Sequence, residues 1–403
     1  MNPSSNLPTS HPSRAATSVL LASLVLPGLA ALAAFDPGTA SAENAPEKTT
    51  VAAKYGHYSD SQPGWDRITV DAAQLYVQAP IAGDWSIEAS GVVDNVSGAS
   101  PRWHTQGTAL SGASQMKDER KAGDVKVTRY LARAAVSASL ALSKEHDYTS
   151  NALGLDARWS SEDNNRTWTA GYGYASDTID NRSNGVNTAI DQHKNTHEFM
   201  GGVTQVLSPG DIAQFNLTRS VGSGYYNDPY KSFDQRPSQR DNWIALARWN
   251  HYLGDLDASL RSSYRFYSDT FGVQSHTLGL DLAKPLGQWT LTPGVRYYSQ
   301  SAASFYLDPL VDAQGQYDLN AVRARAIALQ AAGSKQSTDQ RLASFGALTL
   351  SMKLSYALTP DTTMDLKYET YRQTAALHGG GAGSPGLAPF SAQFIQVGVS
   401  HRF

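Results

Sequence analysis

From about residue 51 onward the chain is built of segments of roughly ten residues in which apolar and polar side chains alternate, divided by turn-forming residues. Leu348, Leu350, Met352, Leu354, Tyr356 and Leu358 alternate with Ala347, Thr349, Ser351, Lys353, Ser355 and Ala357. Likewise Leu256, Ala258, Leu260, Tyr264 and Phe266 alternate with Asp257, Ser259, Arg261, Ser263 and Arg265. Successive side chains of a strand point to opposite faces, so each segment has one apolar and one polar face. In a soluble sandwich the apolar face meets a second sheet; in a membrane barrel it meets lipid.

Connection lengths separate these two outcomes, because a membrane barrel has short periplasmic turns and long outer loops. Short joins fall at 79–83, 160–165, 208–210, 253–254, 285–288 and 359–361, and longer ones at about 97–123, 177–194, 222–239, 301–343 and 375–390. With Arg133 as a tight periplasmic turn and 145–148 as a compact outer one, short and long alternate strictly. The expectation is an all-β fold: a transmembrane, antiparallel, up-and-down β-barrel of about sixteen strands with long extracellular loops and both ends periplasmic. A phase change between Ile68, Val70 and Leu75, Val77 predicts a bulge at Ala72-Ala73.

Tryptophans provide an independent test, since aromatic belts mark the membrane boundary. Trp85, Trp168 and Trp289 begin strands just after proposed periplasmic turns, and Trp159 and Trp249 lie just before them. At the carboxyl end Ile395, Val397, Val399, His401 and Phe403 share one face, as expected of a closing strand that pairs with the first and is read by the barrel-assembly machinery.

Composition excludes other classes. Past the amino terminus no stretch approaches the roughly twenty apolar residues of a spanning helix. A net charge of -3 without a basic run argues against nucleic acid, and the lack of cysteine removes disulfides, thiolate metal sites and lipid attachment through a thiol. Arg14, the apolar run Val19 to Ala34 and Ala40-Ser41-Ala42 form the pattern of an export signal. Residues 1–42 are therefore expected to be a signal peptide and 43–403 the barrel, in the bacterial outer membrane and in contact with its lipids.

Several motifs occur in order: Ser97-Gly98-Ala99-Ser100-Pro101, Leu110-Ser111-Gly112-Ala113-Ser114, Asp118-Glu119-Arg120 and Glu145-His146-Asp147-Tyr148. They continue as Asn227-Asp228-Pro229-Tyr230-Lys231, Arg236-Pro237, Tyr264-Arg265-Phe266-Tyr267-Ser268-Asp269, Arg296-Tyr297-Tyr298-Ser299-Gln300 and Phe305-Tyr306. Together they resemble the domain-of-unknown-function family 3570 (DUF3570) across nearly the whole mature chain. The resemblance implies a bacterial outer-envelope barrel, often encoded near flavin-transferase and small lipoprotein genes. It lends no catalytic residues.

The inward phase places Glu88, Asp94, Asp156, Arg158, Asp257, Arg261, Arg265, Asp281, Arg296, Lys353, Asp365, Lys367 and Arg402 in the lumen. Barrels of this size can leave an aqueous channel, and mixed charges suit a porin-like path for small solutes or a loop-plugged lumen laced with ion pairs. The most specific cluster is Arg265, Tyr267, Asp269, Arg296 and Tyr298 near the outer strand ends, with Asp228 and Arg236 from a loop. Arginine forks and tyrosine hydroxyls can hold a carboxylate, a phosphate or a flavin-like ring; the same residues can equally pin loops. Helix formers across 318–332 predict a short helix, either inside the lumen or on the outer rim.

An enzyme is not expected. Asp191, His193, His197 and Glu198 carry a weak metal-like spacing, and Ser100, His104, Ser114, His146 and Asp147 do not assemble into a triad on spacing alone. The Gly379–Gly383 run has no lysine or helix after it and reads as a loop, not a phosphate cradle. The expectation is thus no catalytic residue, metal or cofactor. Two functions stand level: a channel for small solutes, or a plugged barrel serving a periplasmic or surface partner such as a flavin-linked redox lipoprotein.

Overall fold

A computed structural model describes residues 44–98, 116–181, 189–229, 231, 233–308, 310, 314 and 318–403. The expected signal peptide lies outside the described residues. Alternation builds sixteen strands: β1 (Thr50–Gln62), β2 (Trp65–Ala82), β3 (Trp85–Gly98), β4 (Met116–Leu131), β5 (Ala134–Lys144), β6 (Tyr148–Ser160), β7 (Arg166–Asn181) and β8 (Ala189–Ser208). There follow β9 (Asp211–Gly224), β10 (Gln239–Leu253), β11 (Ala258–Asp269), β12 (Gln274–Leu286), β13 (Trp289–Gln300), β14 (Phe345–Thr359), β15 (Thr362–Thr374) and β16 (Phe390–Arg402). Each pairs antiparallel with its sequence neighbours, and β1 pairs with β16, with Thr50 opposite Arg402 and Ser61 opposite Ser391. The sheet is a closed up-and-down barrel with no open edge.

Both faces follow the alternation. Leu350, Met352, Leu366, Tyr368, Val397 and Ile395 stand exposed on the outer face. Inward positions of these strands are mostly polar or small, and Thr349, Gln396 and Ala392 among them are buried. The tryptophan rim is present: Trp159 stacks on its cross-strand neighbour Trp168 at 6.1 Å, and Trp289 lies 4.4 Å from Tyr356. Periplasmic turns are as short as two residues; in the β2–β3 turn Gly83 takes φ +52°, a conformation that a Cβ disfavours.

Three details depart from the expectation. Register runs unbroken through Ala72-Ala73; the irregularity lies instead where Ser59 pairs Thr69 and Ser61 pairs Asp66, so the extra residue of β2 falls at Arg67-Ile68. The physical reason is that Val70 shares the inward face with Tyr58, while Arg67 turns in to meet Asp60 at 2.8 Å. Outer turns also occur at Pro63-Gly64 and at 270–273, where no long loop marked them. Asp257 stands in a periplasmic turn in the left-handed region, bonded to the Tyr252 hydroxyl, and not in the lumen.

The apolar core sits at the outer mouth. Phe271, Val273, Phe305, Leu307, Leu342, Phe345 and Leu387 form one cluster, and the inward-facing Tyr267 and Tyr298 pack on its underside. Helix α1 (Leu319–Ala331) is capped by the Asp318 carboxylate accepting from the Ala321 N–H at 2.9 Å and ends before Gly333, at φ +67°. Its buried residues Val322 and Ala326 join this cluster while Ile327 is exposed, so α1 belongs to the mouth. Gly346 lets the β15–β16 loop press on β14, because a Cβ there would meet the Leu377 carbonyl oxygen.

The two-faced wall makes a measurable prediction. Leu350→Arg puts a charge into the middle of the lipid-facing band and is expected to lower unfolding free energy by about 2–4 kcal/mol in lipid vesicles, read by urea titration. Ser355→Arg, facing inward, is expected to change it far less.

Candidate functional site: the capped lumen

Odd-numbered strands run from the periplasm outward, so the outer ends of β9, β11, β13 and β15 carry the loops that meet over the mouth. The β13–β14 connection is the largest. It forms paired backbone hydrogen bonds with the β9–β10 loop, Gln235 N–H to Gln336 O and Gln336 N–H to Gln235 O, both 2.8 Å. Its Gln340 reaches the Gln62 side chain at the end of β1, at 3.4 Å. β9 and β1 stand eight positions apart in the ring of sixteen, so this connection bridges opposite walls. Ser344 and Ser384 tie it to the β15–β16 loop through Ser384 N–H to Ser344 O at 2.8 Å.

The bridge is ionic at its centre. Arg236 donates to Asp234 at 2.7 Å and to Asp339 at 2.9 Å. Arg341 donates to Asp339 at 2.8 Å and pairs with Asp228, and the Ser337 hydroxyl donates to Asp234. Asp339 and Asp234 have fully buried side chains. Burial alone would raise the Asp339 carboxyl, but Arg341 and Arg236 outweigh it and hold the group well below the usual carboxylate range. Asp234 has one arginine, and there burial prevails and raises the carboxyl. Burial also depresses the ammonium of Lys231 against the pull of Asp339.

The cluster expected from sequence therefore divides. Asp228 and Arg236 belong to this latch between loops. Arg265, Tyr267, Asp269, Arg296 and Tyr298 lie below it on the inward faces of β11 and β13, beneath the cap. Asp269 accepts from Arg240 at 2.9 Å, from the Tyr267 hydroxyl at 2.7 Å and from the Val273 N–H at 2.9 Å. Arg265 lies over the Tyr267 ring at 5.5 Å, and Arg296 donates to the Thr349 hydroxyl at 3.2 Å. Sequence reasoning missed Asp234, Asp339 and Arg341, whose loops carry no periodicity, and also Arg240 and Tyr371. The repeated Arg-x-Tyr of β11 and β13, Arg265-Phe266-Tyr267 and Arg296-Tyr297-Tyr298, was the available signal.

Elsewhere inward charges pair between neighbouring strands, Glu88 with Lys126 at 2.8 Å, Asp177 with Lys194 at 2.9 Å and Asp94 with Arg120, and along β15, Lys367 with Glu369 at 3.0 Å. Of the metal-like set, His193 and His197 face outward while Glu198 faces inward and is buried, so the strand splits it between faces. His197 instead accepts or donates a hydrogen bond at 3.0 Å with the Tyr172 hydroxyl. Ser100, His104 and Ser114 lie outside the described residues.

The latch carries a prediction. Asp339→Asn removes the charge that two arginines share, and breaking a buried pair costs about 3–5 kcal/mol. Amide exchange is expected to quicken in 225–238 and 333–344 and to stay unchanged in β5 and β6; unchanged loops would mean that the apolar cluster alone holds the cap. Because the Asp339 carboxyl is depressed on folding, its contribution is complete above the ordinary value of 3.8 and is lost as pH falls toward the lowered value. Asp234 has the opposite sign, so the latch should survive mild acid and loosen only in strong acid.

Solved structures similar to this chain are outer-membrane barrels. OccK1 (OpdK) of Pseudomonas aeruginosa matches with 8 % identity and a TM-score of 0.43 over 88 % of this chain and 98 % of its own. A FadL homologue of P. aeruginosa matches with 11 % identity and a TM-score of 0.42 over 88 % and 90 %. The siderophore receptor PirA of the same organism matches with 10 % identity and a TM-score of 0.43 over 82 % of this chain; the chain spans 57 % of that receptor's length. A comparison with curated proteins returns no match. The family profile described as "Protein of unknown function (DUF3570)" matches residues 16–113 and 104–399, and the chain, an outer-membrane-type β-barrel, belongs to that family.

Proposed function

We propose that the chain forms a channel for small solutes across the bacterial outer membrane, closed or narrowed at its outer mouth by the β13–β14 cap. The observation that carries this reading is the sorting of the wall: apolar side chains face lipid, and the inward face is lined with charged and hydroxyl groups. Buried ionisable groups are costly without water or partners, and a hydrated lumen supplies both. The cap adds the means of control, since it rests on loop contacts and a buried ionic latch and not on the barrel's own ladder.

A second reading has one observation in its favour. The cap bridges opposite walls with its own apolar core, as a plugged barrel serving a partner would require. That partner would be a periplasmic lipoprotein or surface protein, of the redox kind that the family's gene neighbours imply. In either case the outer apolar band is the lipid contact, and the closing strand β16, with the adjacent Phe403, is the segment offered to the assembly machinery. No catalytic step is assigned to the barrel.

Single-channel conductance in a planar bilayer separates the readings. The refolded chain is expected to conduct in short openings, and Asp339→Asn or deletion of 318–332 to conduct steadily at a higher level. Silence in all three refolded proteins sinks the channel and leaves the partner reading.

A further inference from the structure

Four outward-running strands repeat one device on the inward face. Each tyrosine hydroxyl donates to the side chain two residues nearer the mouth on its own strand: Tyr58 to Asp60 at 2.8 Å, Tyr267 to Asp269 at 2.7 Å, Tyr298 to Gln300 at 2.6 Å and Tyr371 to Gln373 at 2.9 Å. Residues two apart share a face, so the bond turns each hydroxyl toward the mouth and away from the residues below it. Tyr58, Tyr267, Tyr298 and Tyr371 stand eight or nine residues from the periplasmic starts of β1, β11, β13 and β15, which places them in one tier under the cap.

Two residues below this tier, on β11 and β13, stand Arg265 and Arg296. Neither forms an ion pair among the described residues: Arg265 rests on the Tyr267 ring, and Arg296 reaches only the Thr349 hydroxyl. Nearer the mouth the arginines differ. Arg67, Arg120, Arg236 and Arg240 each meet a carboxylate. Glu198 on β8 interacts electrostatically with Arg265 but makes no ion pair with it, and its Oε2 has no hydrogen-bond partner among the described residues.

A guanidinium is a planar fork that matches a carboxylate; Arg265 is partly buried and Arg296 is exposed to the lumen, and their nearest carboxylates, Glu198 and Asp281, act on them electrostatically without closing an ion pair, so both forks stay open to a ligand carboxylate. An aromatic tier directly above, with its hydroxyls turned away, offers ring faces and edges to a flat molecule. We infer that Arg265 and Arg296, under the tier of Tyr267, Tyr298 and Tyr371, form a lumenal binding site for a small organic carboxylate carrying a planar ring. This inference rests on the water-accessible lumen proposed above. The carboxylate sits between the two arginines and its ring lies toward the tyrosines, while Glu198 opposes the negative charge and keeps binding weak enough for release.

The test is equilibrium dialysis of the refolded full chain in detergent against benzoate, benzamide and cyclohexanecarboxylate, with Asp339→Asn as a second host in which the cap is loosened. Saturable benzoate binding is expected in at least the loosened host. It should weaken at least about tenfold in that host when Arg265→Gln and Arg296→Gln are added, the loss of charged hydrogen bonds. Benzamide, neutral and of the same shape, and cyclohexanecarboxylate, charged but not flat, are each expected to bind more weakly than benzoate. Glu198→Gln should tighten benzoate.

No saturable benzoate binding in either host overturns the site, as does unchanged binding in the arginine variants. Weaker binding in Glu198→Gln overturns it in favour of a dipolar ligand, and equal binding of cyclohexanecarboxylate overturns the aromatic part. Conductance is recorded on the same preparations, so a conducting barrel that ignores benzoate removes the site alone, and a silent barrel that binds it removes the channel alone.

Discussion

In hydrocarbon there is no water to satisfy a backbone N–H or carbonyl, so a sheet that crosses it must have no free edge. Pairing of β1 with β16 meets that condition here, and the rest of the molecule depends on it. Once the ring is closed, the only freedom left to each strand residue is which face it takes, and apolar and polar side chains separate to lipid and lumen without a packed centre. The apolar core among the described residues consequently lies at the mouth, mostly in loop residues that the ring does not constrain.

That core is where the chain departs from a plain cylinder. A connection of more than forty residues has to satisfy its own backbone, and it does so with one short helix, with backbone bonds to the β9–β10 loop and with two fully buried carboxylates shared among arginines. The ionic centre is specific in geometry more than it is strong, since desolvation offsets much of the Coulombic gain. Such a latch holds one arrangement of the loops while leaving it responsive to the loss of a single charge.

Charged side chains of the lumen divide by strand more than by height, since Glu88 with Lys126 and Lys367 with Glu369 pair low in the barrel. Close under the cap, Asp60, Asp94, Asp177 and Asp269 each hold a cation within 4 Å. Lower on β11 and β13, Arg261, Arg265 and Arg296 face inward with no ion pair among the described residues. Pairing near the mouth rigidifies the rim and the base of the cap; on β11 and β13 the cations face the lumen with Asp281 acting on Arg261 and Arg296 outside ion-pair distance, which leaves their forks open.

Period-two alternation, turn positions and the tryptophan rim made the antiparallel barrel of about sixteen strands, their direction and the face of most strand residues legible, while the tight outer turns at Pro63-Gly64 and 270–273 left no mark of their own. Those patterns are local properties, and closure follows from them with no further information. Arg265, Tyr267, Arg296 and Tyr298 were legible as a lumenal group for the same reason: each lies on a strand whose phase is readable. The bulge was misplaced at Ala72-Ala73 because the attraction that sets it, Arg67 for Asp60, acts between strands and leaves no mark on either pattern. Asp228 and Arg236 were grouped with the lumen, while Asp234, Asp339 and Arg341 went unseen, because loops have no period. What those loops pair with, and that they cross the mouth to do so, was decided only when the ring brought β9, β13 and β1 to fixed places around it.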